Sequence, residues 1–269
     1  MKIFVCIKQV PGVSEVKIDP KTNTLIRSGI PSVVNPHDKH AVELGLTIKE
    51  KHGGELIALS MGPPQAEQAL REVLAMGVDI AYLLTDRAFA GADTLATSHT
   101  LALGIKKLLE DLEKGESYLV ICGTQAFDGD TAQVGPELAE ELGIPQITYV
   151  SKFKMKKQGK IEVERAFRID EVVIIESKLP ALISVLKEIN NPRHPGMEGI
   201  VNAYNEKKVI FMNAEDLRAD KANVGLNGSM TEVWKIFVPE RKGEHVILDG
   251  GIDEITRELC KNLKDDKIL

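Results

Sequence analysis

The chain has 269 residues, 43% of them hydrophobic and 28% charged, with a formal net charge of −6 at pH 7. That length carries one large α/β domain with an extension, or two small domains, and that composition is the one of a soluble globular protein. The spread charge excludes a nucleic-acid footprint, no apolar run approaches the ~20 residues of a membrane span, and Cys6, Cys122 and Cys260 lie too far apart for a zinc or Cys-x-x-Cys pattern.

Met1-Lys2-Ile3-Phe4-Val5-Cys6 enters a strand directly and carries no signal-peptide cleavage pattern, so the cytoplasm is the expected location. A structural disulfide is not expected in that reducing compartment. Lys2 to Val10 reads as a buried strand. Ser14 to Ile26 reads as an exposed hairpin or loop excursion, with Asp19-Pro20 and Thr22-Asn23-Thr24 as turn signals. Asn35-Pro36-His37-Asp38 opens a helix, since Asn35 suits the N-cap and Pro36 the first helical position. Ala41, Leu44, Gly45 and Ile48 form its apolar face, and His52-Gly53-Gly54 ends it. Glu55 to Ser60 is the next strand. Met61-Gly62-Pro63-Pro64 then turns into a helix with Ala66, Ala69, Leu70 and Val73 facing inward and Gly77 at its close. Ile80 to Leu84 is a third strand. Asp93 or Thr94 starts a helix whose face is Leu101, Ile105, Leu108 and Leu112.

Tyr118 to Cys122 is a fourth apolar run, broken at Gly123 by a loop of small and hydroxyl residues that reaches Val134. An amphipathic helix follows over roughly Pro136 to Leu142. Backbone N–H groups in such a loop, with the positive end of a helix dipole behind them, form an anion site suited to phosphate. Gly123 and Gly129 let the backbone approach an anion without a Cβ in the way, and Thr124 and Thr131 add hydroxyl donors. The pattern points to a nucleotide or a dinucleotide without saying which. Gly143-Ile144-Pro145 leads to a fifth strand. This alternation predicts a parallel sheet covered on both faces, whose ligands bind outside the carboxyl ends of the strands. Cys6, Met61 and Gly123 each sit at such an end and are expected to converge.

The second half differs. Lys160 to Phe167 and Glu171 to Glu176 read as an antiparallel pair, and Ala181 to Leu186 as another strand. The run Lys154 to Lys160 reads as a solvated hairpin end. Asn190-Asn191-Pro192-Arg193-His194-Pro195-Gly196 is a long polar loop, followed by a short strand, Val209 to Met212. Residues 213 to 250 hold isolated apolar residues, including Val224, Met230, Val233, Trp234, Ile236, Phe237 and Val238, without a period long enough for an element. Ile252 to Leu263 reads as a final helix. Such a tail, without a core of its own, is expected to lie on another surface.

Four stretches, in this order and spacing, resemble the beta subunit of electron-transfer flavoproteins over nearly the whole chain. They are the opening strand with Lys8-Gln9-Val10, then Asn35-Pro36-His37-Asp38 and its helix, then Ser60-Met61-Gly62-Pro63 with Ala75-Met76-Gly77-Val78-Asp79, and finally Gly123 to Thr131. Arg165 to Val185, with Leu179-Pro180-Ala181-Leu182, and Asn191-Pro192-Arg193 also look like the family. One departure is Ile169-Asp170-Glu171, where the family often has a Gly pair.

The resemblance implies an α/β fold with a parallel nucleotide-binding sheet of the adenine nucleotide alpha hydrolase-like kind, helices on both faces, an antiparallel extension and a C-terminal arm. Residues 1–212 would form the FAD- or AMP-binding domain, and 213–269 an arm packed on an alpha subunit. The respiratory branch holds a structural AMP in the beta subunit. The electron-bifurcating branch holds a second FAD there, and Asp128 to Gly135 is similar to that branch. The resemblance then implies NADH as donor at the complex, ferredoxin or flavodoxin as one acceptor, and an acyl-CoA dehydrogenase or enoyl-CoA reductase on the other route. The cofactor would be held by Cys6, Asn35, Pro36, His37, Asp38, Met61, Gly123, Thr124, Gln125, Ala126, Phe127, Asp128, Gly129, Asp130, Thr131, Ala132, Gln133 and Val134. Arg193 and Met197, in the loop Asn190 to Gly199, would bind the dehydrogenase. The residues themselves also allow plainer roles. Cys6 and Cys122 can be small packing residues beside the nucleotide, His37 a helix-start residue, His40 and His99 surface or structural groups, and Met197 a core gap-filler. A non-redox adenine-nucleotide-sensing module and an ATP-pyrophosphatase-type enzyme are the competing functions. The first does not explain residues 160–269, and the second needs a Ser-Gly-Gly-rich loop where this chain has Lys8-Gln9-Val10-Pro11.

Overall fold

Short apolar runs alternate with amphipathic segments through the first half of the chain, and each run becomes a buried strand. The computed structural model describes residues 1–12, 32–110, 116–168, 171–234 and 246–268. In chain order the elements are β1 (Lys2–Cys6), β2 (Gln9–Pro11), β3 (Ser32–Val34), α1 (Pro36–His52), β4 (Glu55–Met61), α2 (Glu67–Met76), β5 (Ile80–Leu84), α3 (Thr94–Leu109), β6 (Tyr118–Gly123) and α4 (Val134–Leu142). They continue as β7 (Gln146–Met155), β8 (Lys160–Arg168), β9 (Glu171–Lys178), β10 (Ala181–Val185), α5 (Met197–Asn205), β11 (Val209–Met212) and α6 (Ile252–Asp265). The expected excursion Ser14 to Ile26, Leu112, the turn residues Ile169 and Asp170, and Ile236 to Val238 lie outside the described residues.

One sheet runs β11-β5-β4-β1-β6-β10-β7-β8-β9. The pairings from β11 through β7 are parallel, and β8 and β9 add the antiparallel extension. The α/β class with helices on both faces is therefore observed. One face is packed under α1 and α2 through Ala41, Leu44, Ile48, Ala69, Leu70 and Val73. The other is packed under α3 and α4 through Leu101, Ile105, Leu138 and Ala139. The chain leaves β1 toward β4 and β5, then crosses back to β6 on the other side of β1. That reversal places a switch point between the carboxyl ends of β1 and β6.

Three departures from the expected elements have local causes. The strand expected over Lys2 to Val10 divides, because the Lys8 N–H leaves the ladder and donates to Asp38 Oδ2 at 2.7 Å. Gln9–Pro11 then pairs antiparallel with Ser32–Val34. Second, β10 carries no sequence mark of its place in the sheet. It inserts between β6 and β7 in the parallel sheet, and all five of its residues are buried. A strand buried on both faces shows no alternation that would have placed it there. Third, α5 begins at Met197, inside the segment expected to be loop up to Gly199. The helix seats on α2 through small residues: Ala203 is buried, and a Cβ at Gly199 would overlap the Ala75 carbonyl oxygen.

The packed unit also extends past residue 212. Ala214, Leu217 and Val224 are buried in the cluster under α3. Ser229 to Thr231 hang on Asp93, whose Oδ2 accepts from the N–H groups of Met230 and Thr231 at 2.9 and 3.0 Å. Beyond that point the described chain is exposed: Trp234 is 97% accessible, and α6 has no buried residue. No helix among the described residues is long and apolar enough to cross a membrane.

Candidate functional site

Cys6 at the end of β1, Met61 at the end of β4 and Gly123 at the end of β6 meet as their strand positions require, around one cleft of about 360 Å3. That volume lies within the ~300–1,000 Å3 of small-molecule and cofactor sites. Asn35, Asp38, Thr124, Gln125, Ala126, Gly129, Thr131, Ala132, Gln133 and Val134 also line it. The side chains of Pro36, His37, Phe127, Asp128 and Asp130 do not. Pro36 and His37 stand in the first turn of α1, where the His37 backbone backs Gly123. His37 Nδ1 is buried without a partner among the described residues, and burial, then the nearby His40 ring, hold its pKa below the ordinary value.

The loop after β6 is held by two side chains of the Asn35-Pro36-His37-Asp38 turn. Asn35 was expected to cap α1, but its side chain makes no capping bond. Asn35 Nδ2 donates to Asp38 Oδ1 and to the Gln125 carbonyl, both at 2.9 Å, and Asn35 Oδ1 accepts from the Phe127 N–H at 3.1 Å. The Asp38 carboxylate accepts from the N–H groups of Lys8 and Gly123. Burial nonetheless dominates and pushes the Asp38 carboxyl up to about 7. Gly123 is glycine because of this carboxylate. A Cβ there would overlap Asp38 Oδ1 and stand 2.7 Å from the His37 carbonyl carbon and 2.8 Å from Asp38 N. Gly129 is different: it is exposed beside the cleft, and a Cβ there meets nothing within 4 Å.

Some of the loop's candidate donors are used within the fold. The N–H groups of Gly129 and Asp130 both turn back onto the Ala126 carbonyl, at 3.3 and 2.8 Å. The Thr124 hydroxyl donates to the Val185 carbonyl at 2.5 Å, so its proton fastens the loop to β10. Asp130 and Ala132 take left-handed backbone with φ of 56° and 55°, a conformation costing ~1–2 kcal/mol per residue away from glycine. Among the described residues, the N–H groups of Thr131, Ala132, Gln133, Val134 and Gly135 have no partner. They lead into the N-terminus of α4. Lys8 Nζ bridges to Asp128 Oδ1 at 2.6 Å and ties the far side of the loop to the end of β1.

The opposite wall was not anticipated as part of the site. Ala92, Asp93, Thr94 and Thr97 line it, from the N-terminal turn of α3, and Ile7, Lys8, Leu101 and Gly135 complete the lining. Asp93 caps α3 by accepting from the Ala96 N–H at 3.0 Å. Its cap signal was legible, and a helix entered from a parallel strand begins at the carboxyl end where ligands bind. Two helix N-termini thus face one cleft, and their partial positive charges add.

The second expected site lies elsewhere. Within the chain the Arg193 guanidinium is engaged by two carboxylates. It forks onto Glu43 at 2.8 and 2.9 Å and onto Glu50 at 3.1 Å, and the Arg193 backbone N–H also donates to Glu43. The hydrogen bonds to Glu43 and Glu50 hold its pKa above the ordinary value. His40 and Asn190 add a second tie, with Asn190 Nδ2 donating to the His40 carbonyl at 3.0 Å. The 190–196 loop is therefore pinned along α1. Met197 follows it with 80% exposure, which excludes a core role, and shares one helical face with exposed Ile200, Val201 and Tyr204.

Residues 22–215 match the family described as the electron transfer flavoprotein domain. The chain is 52% identical to an electron transfer flavoprotein subunit beta of Thermoanaerobacterium thermosaccharolyticum, over 100% of both chains. It is 49% identical to the subunit of the same description from Clostridium acetobutylicum, over 99% of both. It is 47% identical, over 100% of both, to the caffeyl-CoA reductase-Etf complex subunit CarD of Acetobacterium woodii. A nucleotide-type cleft at the switch point of a parallel sheet, and similarity across the full chain, lead to one conclusion: this chain belongs to the electron transfer flavoprotein family, as a beta subunit.

Proposed function

We propose that the cleft holds the adenylate and diphosphate of FAD, and that the chain works with an alpha subunit in flavin-based electron bifurcation. The observation that carries this reading is the run of unpartnered N–H groups from Thr131 to Gly135, set between two helix N-termini and beside the open space at Gly129. Several oriented donors on a dianionic diphosphate are charge-assisted hydrogen bonds worth about 1.5–3 kcal/mol each. The space at Gly129 suits a ligand that continues past its first phosphate. Thr131 adds a hydroxyl at the cleft. The Cys6 and Met61 end of the cleft is the apolar floor suited to an adenine ring.

When bound, the flavin supplies the electron chemistry. The chain's own residues bind and orient it. Asn35 and Asp38 hold the loop, Lys8 closes it against Asp128, and α3 and α4 place positive potential on the phosphates. NADH as donor and ferredoxin or flavodoxin as one acceptor belong to the same reading. The acceptor on the other route is an acyl-CoA dehydrogenase or enoyl-CoA reductase, a class that the reductase complex named for the Acetobacterium woodii relative supports. The exposed face Met197, Ile200, Val201 and Tyr204, on a helix packed on α2 and preceded by a loop pinned to α1, is its proposed docking surface. The alpha subunit would take the exposed Val233, Trp234 and α6.

The test is cofactor content. Heterodimer purified with its alpha subunit and reconstituted with excess FAD is expected to hold two FAD. One FAD with one tightly bound AMP would replace bifurcation by the respiratory-type reading.

A further inference from the structure

Cys6 and Cys122 are register partners on adjacent parallel strands. In-register neighbours send their side chains to the same face of a sheet. Both thiols join the apolar cluster under α3 and α4, and both reach the floor of the cleft. Neighbouring strands stand about 4.8 Å apart, inside the ~4.4–6.8 Å Cα separation that a disulfide spans. Hydrogen bonding to Cys6, and then burial, push the Cys122 thiol well above its ordinary range. Asp38 acts on it in the same direction, so Cys122 keeps its proton at neutral pH.

We infer that Cys6 and Cys122 form a dithiol modification site at the floor of the cleft, which hydrogen peroxide converts to an intrachain disulfide. The Cys6 sulfur attacks one peroxide oxygen; the O–O bond breaks, the departing hydroxide takes the Cys6 proton and leaves as water, and a sulfenic acid forms. The Cys122 sulfur then attacks the Cys6 sulfur. The S–S bond forms, the S–O bond breaks, and the oxygen leaves as water with the Cys122 proton. In sum two thiols and one peroxide give one disulfide and two waters. Peroxide is small enough to enter the cleft. A nucleotide seated there covers the pair, and this shielding, unlike the disulfide, rests on the function proposed above.

The experiment uses full-length chain in its heterodimer, as purified and after nucleotide is stripped. Each sample is treated with peroxide, its remaining thiols are alkylated in denaturant, and its peptides are weighed. In stripped protein a peptide joining Cys6 to Cys122 is expected, lighter by two hydrogens and released by dithiothreitol. Cys6→Ser and Cys122→Ser, each checked by co-purification with the alpha subunit, should both lack it. Exposed Cys260 serves as the internal control for reagent access. Adding AMP at ten times its Kd should slow cross-linking about tenfold, as the free fraction falls. The inference is overturned if Cys260 is oxidised while Cys6 and Cys122 are both recovered alkylated, or are found separately as sulfinic acids. Cross-linking at an unchanged rate with saturating AMP and with FAD would keep the dithiol and remove the nucleotide from the cleft.

Discussion

Gly123 and Gly129 stand six residues apart in one loop, yet the structure gives them opposite sensitivities. At Gly123 a methyl group meets the Asp38 carboxylate and the His37–Asp38 backbone, neither of which is a flexible side-chain end. Relief requires β6 to move away from the start of α1, and that breaks the Asp38 and Asn35 bonds that shape the loop. Overpacking of this kind costs ~1–3 kcal/mol or more. For a chain of this size ~1 kcal/mol lowers Tm by ~2–4 °C, so Gly123→Ala should lose about 2–12 °C. At Gly129 the added side chain enters open space, and an exposed substitution of that kind stays within about ±0.5 kcal/mol. Gly129→Val therefore acts on the ligand alone, by filling cleft volume, without displacing the loop. Thermal unfolding and flavin content of both heterodimers are the assay. Gly129→Val should keep its Tm with nucleotide removed from both proteins, and lose this subunit's cofactor while keeping that of the alpha subunit. An unchanged Tm in Gly123→Ala, or full cofactor content in Gly129→Val, would refute the reasoning.

Asp38 makes stability fall as pH rises. Its carboxyl is raised from 3.8 to about 7 by burial, so between those values the folded state binds more protons than the unfolded one. The loss is on the order of a few kcal/mol, complete above about pH 7, and urea unfolding from pH 5 to 8 should show a flatter profile in Asp38→Asn than in wild type. Opposite contributions from His37 appear in both proteins and cancel in the comparison. Arg193→Ala leaves Glu43, whose side chain is only 10% exposed, without its cation. It should cost about 1–3 kcal/mol and free the loop before Met197, read as faster amide exchange over residues 190–196. Met197→Ala should weaken electron transfer at limiting dehydrogenase by about tenfold or more, the value of burying one such side chain, with flavin content unchanged. Truncation after Thr231 should abolish pairing with the alpha subunit and leave the domain folded. Truncation after Met212 also removes Leu217 and Val224 from the core and should unfold it by several kcal/mol. Stoichiometric co-purification of the shorter-tailed form cut after Thr231 would remove the arm from the interface.

Local order alone carried a large part of this protein. Ile80–Leu84, Val209–Met212 and the helix faces of α1 and α2 are legible because apolar spacing and Gly or Pro punctuation are properties of a few adjacent residues. The strand-loop-helix from Tyr118 to Leu142 is legible for the same reason, and strand direction by itself brings Cys6, Met61 and Gly123 to one end of the sheet. What only the tertiary structure decided involves partners distant in the chain. β10 enters the sheet centre because both its faces are buried, a state that leaves no periodic mark. The Thr124 hydroxyl proton goes to Val185, 61 residues away, and the Arg193 guanidinium pairs with Glu43, 150 residues away, contacts that neither residue type announces. The wall from Ala92 to Thr97 joins the cleft because α3 returns across the sheet beside α4. A glycine or a threonine in sequence states which contacts are chemically allowed; the packed neighbours decide which are made, and so separate Gly123, crowded by Asp38, from Gly129, open to the ligand.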